Sequence, residues 1–344
     1  MTIGLLRRFL LDPVEVIGRY HLGIGEQADP TAELAEMADE PLSSQFPIDF
    51  EIRTAPVQNW LSAQLNGSFR QLPMDRLETE FDSVYADLSR KSLLPAGAFA
   101  VHDKSKLKQQ VLAVGANLLP FVEQMRTARR LFSAVMVGAV IDDVVETGGI
   151  QLSFNPVAID QPGLDVHRFS ETVHLSGGMP WVWQTADEAW HCLVVTGSNR
   201  RSRLPDKYVI SPLLTLMAIA TGGEPYPWSD VNRMAVHVIY REHVLNLDYV
   251  LDPKRSEGYL AGLVGDFFSP SPLEWLPFET LFANAGLRAF IGQDGVNDAD
   301  RKAFFELLTE TMHAEADVRS ELVGAVVTPA ILDRARRRFR VFLP

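Results

Sequence analysis

Side chains able to do chemistry are sparse in this chain. His237 and His243 stand six apart, too far to share a metal ion across adjacent helical turns. Glu242-His243 does not extend into the His-Glu-x-x-His pair of a zinc helix. His174 and His191 sit in strand-like runs beside tryptophans, with few acids nearby, which favours core or edge positions over metal ligation. Asp142, Asp143 and Glu146 could gather round a metal, but they lead into Gly148-Gly149, and a solvated turn is the simpler reading. Cys192 is the one cysteine, which excludes an intrachain disulfide framework, a thiolate zinc site and a four-cysteine iron–sulfur cluster. It reads as a small apolar core residue. No phosphate loop, nucleophile elbow or dinucleotide glycine motif occurs. The expectation is no catalytic residue, no metal and no cofactor.

Phosphate contact is the chemistry with material to support it. Arginines cluster at Arg126/Arg129/Arg130, at Arg200/Arg201/Arg203 and at the terminal Arg334/Arg336/Arg337/Arg338/Arg340. On a helix, Arg336 and Arg340 fall one turn apart, as do Arg334 and Arg338, with Phe339 and Phe342 free to anchor the other side. That run has two readings, a phosphate-contacting face or a solvated helix end whose cations offset the dipole. Aromatic side chains could stack on an opened base pair. However, Trp181 and Trp183 alternate along one strand with Trp190 on its partner, and such tryptophans usually belong to a core. Trp228 and Trp275, close to prolines, read as surface or interface anchors.

These clusters sit on an acidic background. The 32 Lys+Arg against 44 Asp+Glu leave a net charge of -12, which argues against a surface that coats nucleic acid. With 344 residues, 47% hydrophobic and 22% charged, the chain is an ordinary globular one of roughly two domains. No run reaches the roughly 18 apolar residues of a membrane span. Arg7 and Arg8 fall inside the first apolar run and Asp12-Pro13 breaks it, unlike a secretory signal. A single cysteine fits a reducing compartment, and the cytoplasm is expected.

The elements follow from periodicity. Leu5–Phe9 and Leu6–Leu10 share a helix face, and Asp12-Pro13-Val14-Glu15 caps and restarts the helix with Val16, Ile17 and Tyr20 buried. Residues 25–45 read as an acidic loop, followed by helices at about 56–66 and 75–91 and a turn at Leu94-Pro95-Ala96-Gly97. Over 104–126, Leu107, Val111, Val114, Leu118, Phe121 or Val122, and Met125 recur at steps of three and four. From 132 to 196 β-branched residues take over, and 179–183 with 190–195 form a hairpin about a short turn. Helices are then expected at 211–221, about 229–248, 254–267 and 298–318, with a last one at the end of the chain. Two regions result, a helical 1–131 and a sheet with C-terminal helices over 132–344.

The opening LLRRFLLDPVEVIGRYHLGI, the acidic linker ending at Glu40-Pro41 and the turn Leu94-Pro95-Ala96-Gly97-Ala98-Phe99 form an ordered series. It resembles the C-terminal region of RecC, the gamma subunit of exodeoxyribonuclease V. LSGGMPWVW at 175–183, SPLLTLMAIATGG, YLAGLVGDFFSPSPLEWLPF and the closing RARRRFRVFLP extend the resemblance, in order, over nearly the whole chain. The helix SPLLTLMAIATGG lacks the family's Trp and His, and the helicase-like N-terminal region of RecC has no counterpart. The resemblance implies an α+β fold with a nuclease-like (restriction-endonuclease-like) mixed sheet flanked by helices, of the PD-(D/E)XK kind.

A catalytic site of that kind needs an Asp at the end of one strand and Asp/Glu-x-Lys on the next, so that carboxylates hold a divalent ion and the lysine helps position water. Aligning Gly177-Gly178-Met179 with the first strand puts Pro180 at the Asp position. Aligning Leu193-Val194-Val195 with the second puts Thr196 and Ser198 where the carboxylate and lysine belong. Using Asp187-Glu188 instead would move the acids into the hairpin turn. The resemblance therefore implies a non-catalytic domain that binds RecB/RecD-like helicase subunits and guides or separates strands at a DNA fork. Arg200, Arg201 and Arg203, beyond the second strand, are the first expected phosphate contacts, followed by Arg336, Arg337 and Arg340. The alternatives are an active Mg²⁺-dependent nuclease using Asp142, Asp143 or Glu171, and a scaffold without DNA contact.

Overall fold

The computed structural model describes residues 1–20, 48–65, 74–91, 93–95, 97–137, 150–152, 157–158, 172–173, 175–196, 198, 207–221, 233–268, 278–314 and 331–343. The architecture is mixed α+β, with helices packed on both faces of a central six-stranded sheet. Among the described residues no helix is long and apolar enough to cross a membrane.

The chain opens with α1 (Ile3–Leu11) and α2 (Pro13–Tyr20). Their junction forms as the sequence requires: the Asp12 carboxylate accepts the Glu15 N–H at 3.1 Å, and proline occupies the first-turn position where its missing N–H costs nothing. Three longer helices follow, α3 (Ile48–Leu65), α4 (Met74–Arg90) and α5 (Gly97–Arg126). The expected stripe of α5 is buried at every position from Leu107 to Met125, Phe121 and Val122 both included. Gly97 starts that helix at φ +60°, a conformation costly for residues with a Cβ.

The sheet is built from β1 (Arg130–Val137), β2 (Ile150–Leu152), β5 (Gly177–Gln184), β6 (Trp190–Val195), β7 (Arg233–Ile239) and β8 (Val244–Val250), in the order β2-β1-β5-β6-β7-β8. A separate pair joins β3 (Val157–Ala158) to β4 (Thr172–Val173). Antiparallel pairing links β1, β5 and β6, as expected, while β1–β2 and β6–β7 are parallel. The crossover between β6 and β7 carries α6 (Lys207–Thr221), which is buried on nearly all sides, as its continuous apolar run demands.

One expected element is replaced. The helix expected at about 229–248 is the hairpin β7–β8. Met234, Val236 and Val238 alternate along β7, and Leu245, Leu247 and Tyr249 along β8, all buried. The period there is two, and the β-branched content favours a pleated surface over a helix. The remaining helices are α7 (Pro253–Phe268), α8 (Phe278–Ala283), α9 (Ala285–Gly292), α10 (Asp298–Ala314) and α11 (Ile331–Phe339), closed by a 3₁₀ turn at Arg340–Phe342.

Two cores result. Helices α3, α4 and α5 cover one sheet face over Trp181, Trp183, Leu193 and Ile239. On the other face, α1, α6, α7 and the C-terminal helices enclose Val135, Met179, Val182, Trp190 and Cys192. The helices of the 1–131 region thus lie on opposite faces of the sheet. Phe9 of α1 meets Phe267 edge-on at 5.6 Å, and the Ile3 N–H donates to the Ser176 carbonyl at 2.7 Å.

Candidate functional site

The β5–β6 hairpin ends beside the first turn of α6. A cleft of about 440 Å³ opens there, lined by Gly178 and Pro180 of β5, Val194 and Val195 of β6, Lys207, Tyr208, Ser211 and Pro212 of α6, and Arg7 of α1. Local sequence explains how these surfaces meet. A Cβ on Gly177 would lie 2.7 Å from the Ile3 Cβ, and one on Gly178 would lie 2.9 Å from the Val135 carbonyl oxygen. The Gly177-Gly178 pair therefore lets α1 seat on β5 and lets β1 approach it.

Pro180, which the resemblance aligns with a catalytic aspartate at a strand end, lies inside β5, four residues before its last. It has no N–H for the ladder although β5 is an inner strand, and its carbonyl faces the Cys192 thiol at 3.7 Å. Trp181 next to it has φ 47°, a strained conformation for a non-glycine residue that costs on the order of 1–3 kcal/mol. On the second strand, Val194 and Val195 border the cleft, with Val195 packing against the core under α3–α5, while Thr196 is fully buried and its hydroxyl accepts the Ser198 N–H at 2.9 Å. Among the described lining residues none bears a carboxylate, and both charged ones are cations. The Arg7 Nε–H donates to the Lys207 carbonyl at 3.1 Å, which ties α1 to the start of α6. The Lys207 ammonium lies 3.8 Å from Glu279, with both side chains about half exposed.

Asp187 and Glu188 occupy the hairpin turn, about six strand residues or roughly 20 Å from the cleft. Glu188 pairs there with Arg129 at 2.9 Å. The same end of the hairpin holds an arrangement that sequence spacing concealed. His191 Nδ1 lies 3.0 Å from His237 Nε2, and His237 Nδ1 lies 2.7 Å from Asn246 Oδ1. Two neutral rings carrying Nδ1–H satisfy both contacts. The two rings stack on each other and on Trp183, and Phe121 lies tilted against His237. Burial, and then the neighbouring His237, push His191 down to about 4, while burial lowers His237 against the opposing Asn246 contact. The Asp187 and Asp248 charges act weakly on them in the opposite sense, and among the described residues no three His, Cys, Asp or Glu side chains gather as a metal site.

Cys192 is fully buried, and burial pushes its thiol up to about 12, so it serves as core rather than nucleophile. Trp181, Trp183 and Trp190 are also core.

The terminal arginines are held by the protein itself. Arg337 and Arg338 both engage the buried Asp266, at 2.6 and 2.7 Å. Arg336 donates to the Gln293 carbonyl, and Arg340 pairs with Asp294. Arg338 is buried over the Phe9 ring, and the Tyr259 hydroxyl donates to its carbonyl at 2.7 Å. Phe339 and Phe342 anchor the buried side as expected.

Arg200, Arg201 and Arg203 lie outside the described residues, as do Asp142, Asp143, Glu146, Glu171, His174, Trp228 and Trp275. In sequence, the first three fall between the end of β6 and Lys207. Arg7, Lys207, Tyr208 and Ser211 escape sequence reasoning because no motif marks them, and only the crossover brings them to the hairpin. No protein-family model matches the chain, and no curated protein matches it.

Proposed function

We propose that the chain is a RecC-like, non-catalytic subunit or domain of a helicase–nuclease complex, built on a nuclease-like sheet whose metal site has been lost. Its work is to dock a RecB/RecD-like helicase partner and to guide or separate strands at a DNA fork, in repair, recombination or defence. The observation that carries this reading is the cleft. Adjacent antiparallel strands border it, and the alignment puts Pro180 and Thr196 where a PD-(D/E)XK site carries carboxylates, and Ser198 where it carries the lysine. Proline has no ligand atom for Mg²⁺, and the neutral hydroxyl of the buried Thr196 is a poor one without carboxylates beside it.

The acidic net charge supports partner docking over tight autonomous DNA binding. Arg200, Arg201 and Arg203 supply phosphate contacts beyond β6 in this reading, with Arg336, Arg337 and Arg340 as a second set. The internal partners of that second set rank it below the first. The test is fluorescence anisotropy with a forked duplex at 50 and 200 mM salt, comparing the wild type with an Arg200→Ala/Arg201→Ala/Arg203→Ala variant. Salt-sensitive binding that weakens in the variant supports the assignment. Fork binding absent at both salt concentrations sinks the strand-guiding role and leaves a scaffold.

A further inference from the structure

We propose that the cleft between the β5–β6 hairpin and α6 is a seat for one phosphodiester of a single DNA strand, gripped directly by Arg7 and Lys207. The inference deepens the strand-guiding reading and rests on it. An active nuclease meets a phosphate through a carboxylate-bound metal ion. Here the described lining holds two cations and no carboxylate, with Glu279 3.8 Å from Lys207 as the nearest ion-pair partner given for it, so the lining itself suits an anion. The acidic balance of the whole chain makes such a paired cationic lining a local feature rather than a general one.

The geometry fits the ligand class. A volume of about 440 Å³ lies within the range of small-molecule sites and accommodates a nucleotide unit. The Arg7 contact with the Lys207 carbonyl places the guanidinium group at the first turn of α6. A guanidinium is a planar donor fork matched to phosphate oxygens. Lys207 is paired with Glu279 only at 3.8 Å, and an exposed pair of that kind is worth little, so a phosphate can compete for the ammonium. Tyr208 presents an aromatic ring and Ser211 a hydroxyl, while Pro180 and Pro212 give an apolar wall for sugar or base. No base-reading pattern is present in this set, so the seat takes strands without regard to sequence.

The test uses the full chain and a fluorescein-labelled oligothymidylate of twenty nucleotides, titrated between 50 and 200 mM NaCl. An Arg7→Gln/Lys207→Gln double variant is expected to bind at least tenfold more weakly at low salt. Its salt slope should fall by about 0.7, the share of one single-strand phosphate contact. A Lys254→Gln/Arg255→Gln control, on the exposed start of α7, should stay within twofold. Ser211→Phe narrows the cleft while leaving both cations in the chain and should also weaken binding, which keeps the question open to decision even if the double variant does not fold. A 4-thiothymidine strand should crosslink to the peptide carrying Tyr208. Wild-type binding with an unchanged slope in the variants and no such crosslink overturns the seat while leaving the strand-guiding reading intact. No wild-type binding to the strand overturns both.

Discussion

Arg338 and Asp266 hold the highest electrostatic stake of any residue pair described. Both side chains are buried, 7% and 5% exposed, and their contact fixes the last helix to α7 beneath Phe9. Breaking a buried pair by removing one partner strands the other charge and typically costs about 3–5 kcal/mol. Asp266→Ala should therefore destabilise the fold by that order in a urea titration, and an Asp266→Leu/Arg338→Met double variant should recover most of the loss. A second residue-scale expectation concerns the stacked histidines. Burial holds His191 and His237 below the ordinary value near 6.5, so the unfolded chain takes up protons first as pH falls. Their contribution is present above pH 6.5 and is lost as pH falls towards about 4, the value to which His191 is pushed. The midpoint of thermal unfolding should drop between pH 7 and 5.5, and His191→Phe, which keeps the stack on Trp183, should reduce that drop.

At the scale of elements, legibility followed the strength of the local period. The α5 stripe and the Asp12-Pro13 restart were readable because each is decided within a few residues, by burial of one face and by capping. The β5–β6 hairpin was readable because its apolar runs flank a polar turn. The β7–β8 hairpin was not, since His237 and Tyr240 interrupt a short run whose alternation shows only once β6 and β8 flank β7. The cleft was half legible. Pro180 and the valines of β6 could be placed on a hairpin from the sequence, but Arg7 and Lys207 meet only through a contact spanning 200 residues. Gly178 gives the element-scale prediction. Its missing Cβ would fall 2.2 Å from the Met136 sulfur and 2.9 Å from the Val135 carbonyl oxygen. The sulfur can turn aside and the carbonyl cannot. Gly178→Val should therefore cost about 1–3 kcal/mol by overpacking, read as a lower denaturation midpoint with little change in slope.

Across the whole molecule, a six-stranded sheet sandwiched by helices presents, beside two adjacent antiparallel strands, a cleft whose described lining carries two cations and no carboxylate. The proposed reading, a nuclease-like frame that holds DNA without cutting it, separates binding from cleavage. The most direct test incubates the protein with a labelled forked duplex and Mg²⁺, measures the bound fraction at two salt concentrations and resolves the DNA on a denaturing gel. The account predicts salt-sensitive binding with every strand intact. Mg²⁺-dependent cleavage, abolished by a chelator, would contradict it and place catalytic carboxylates elsewhere in the chain.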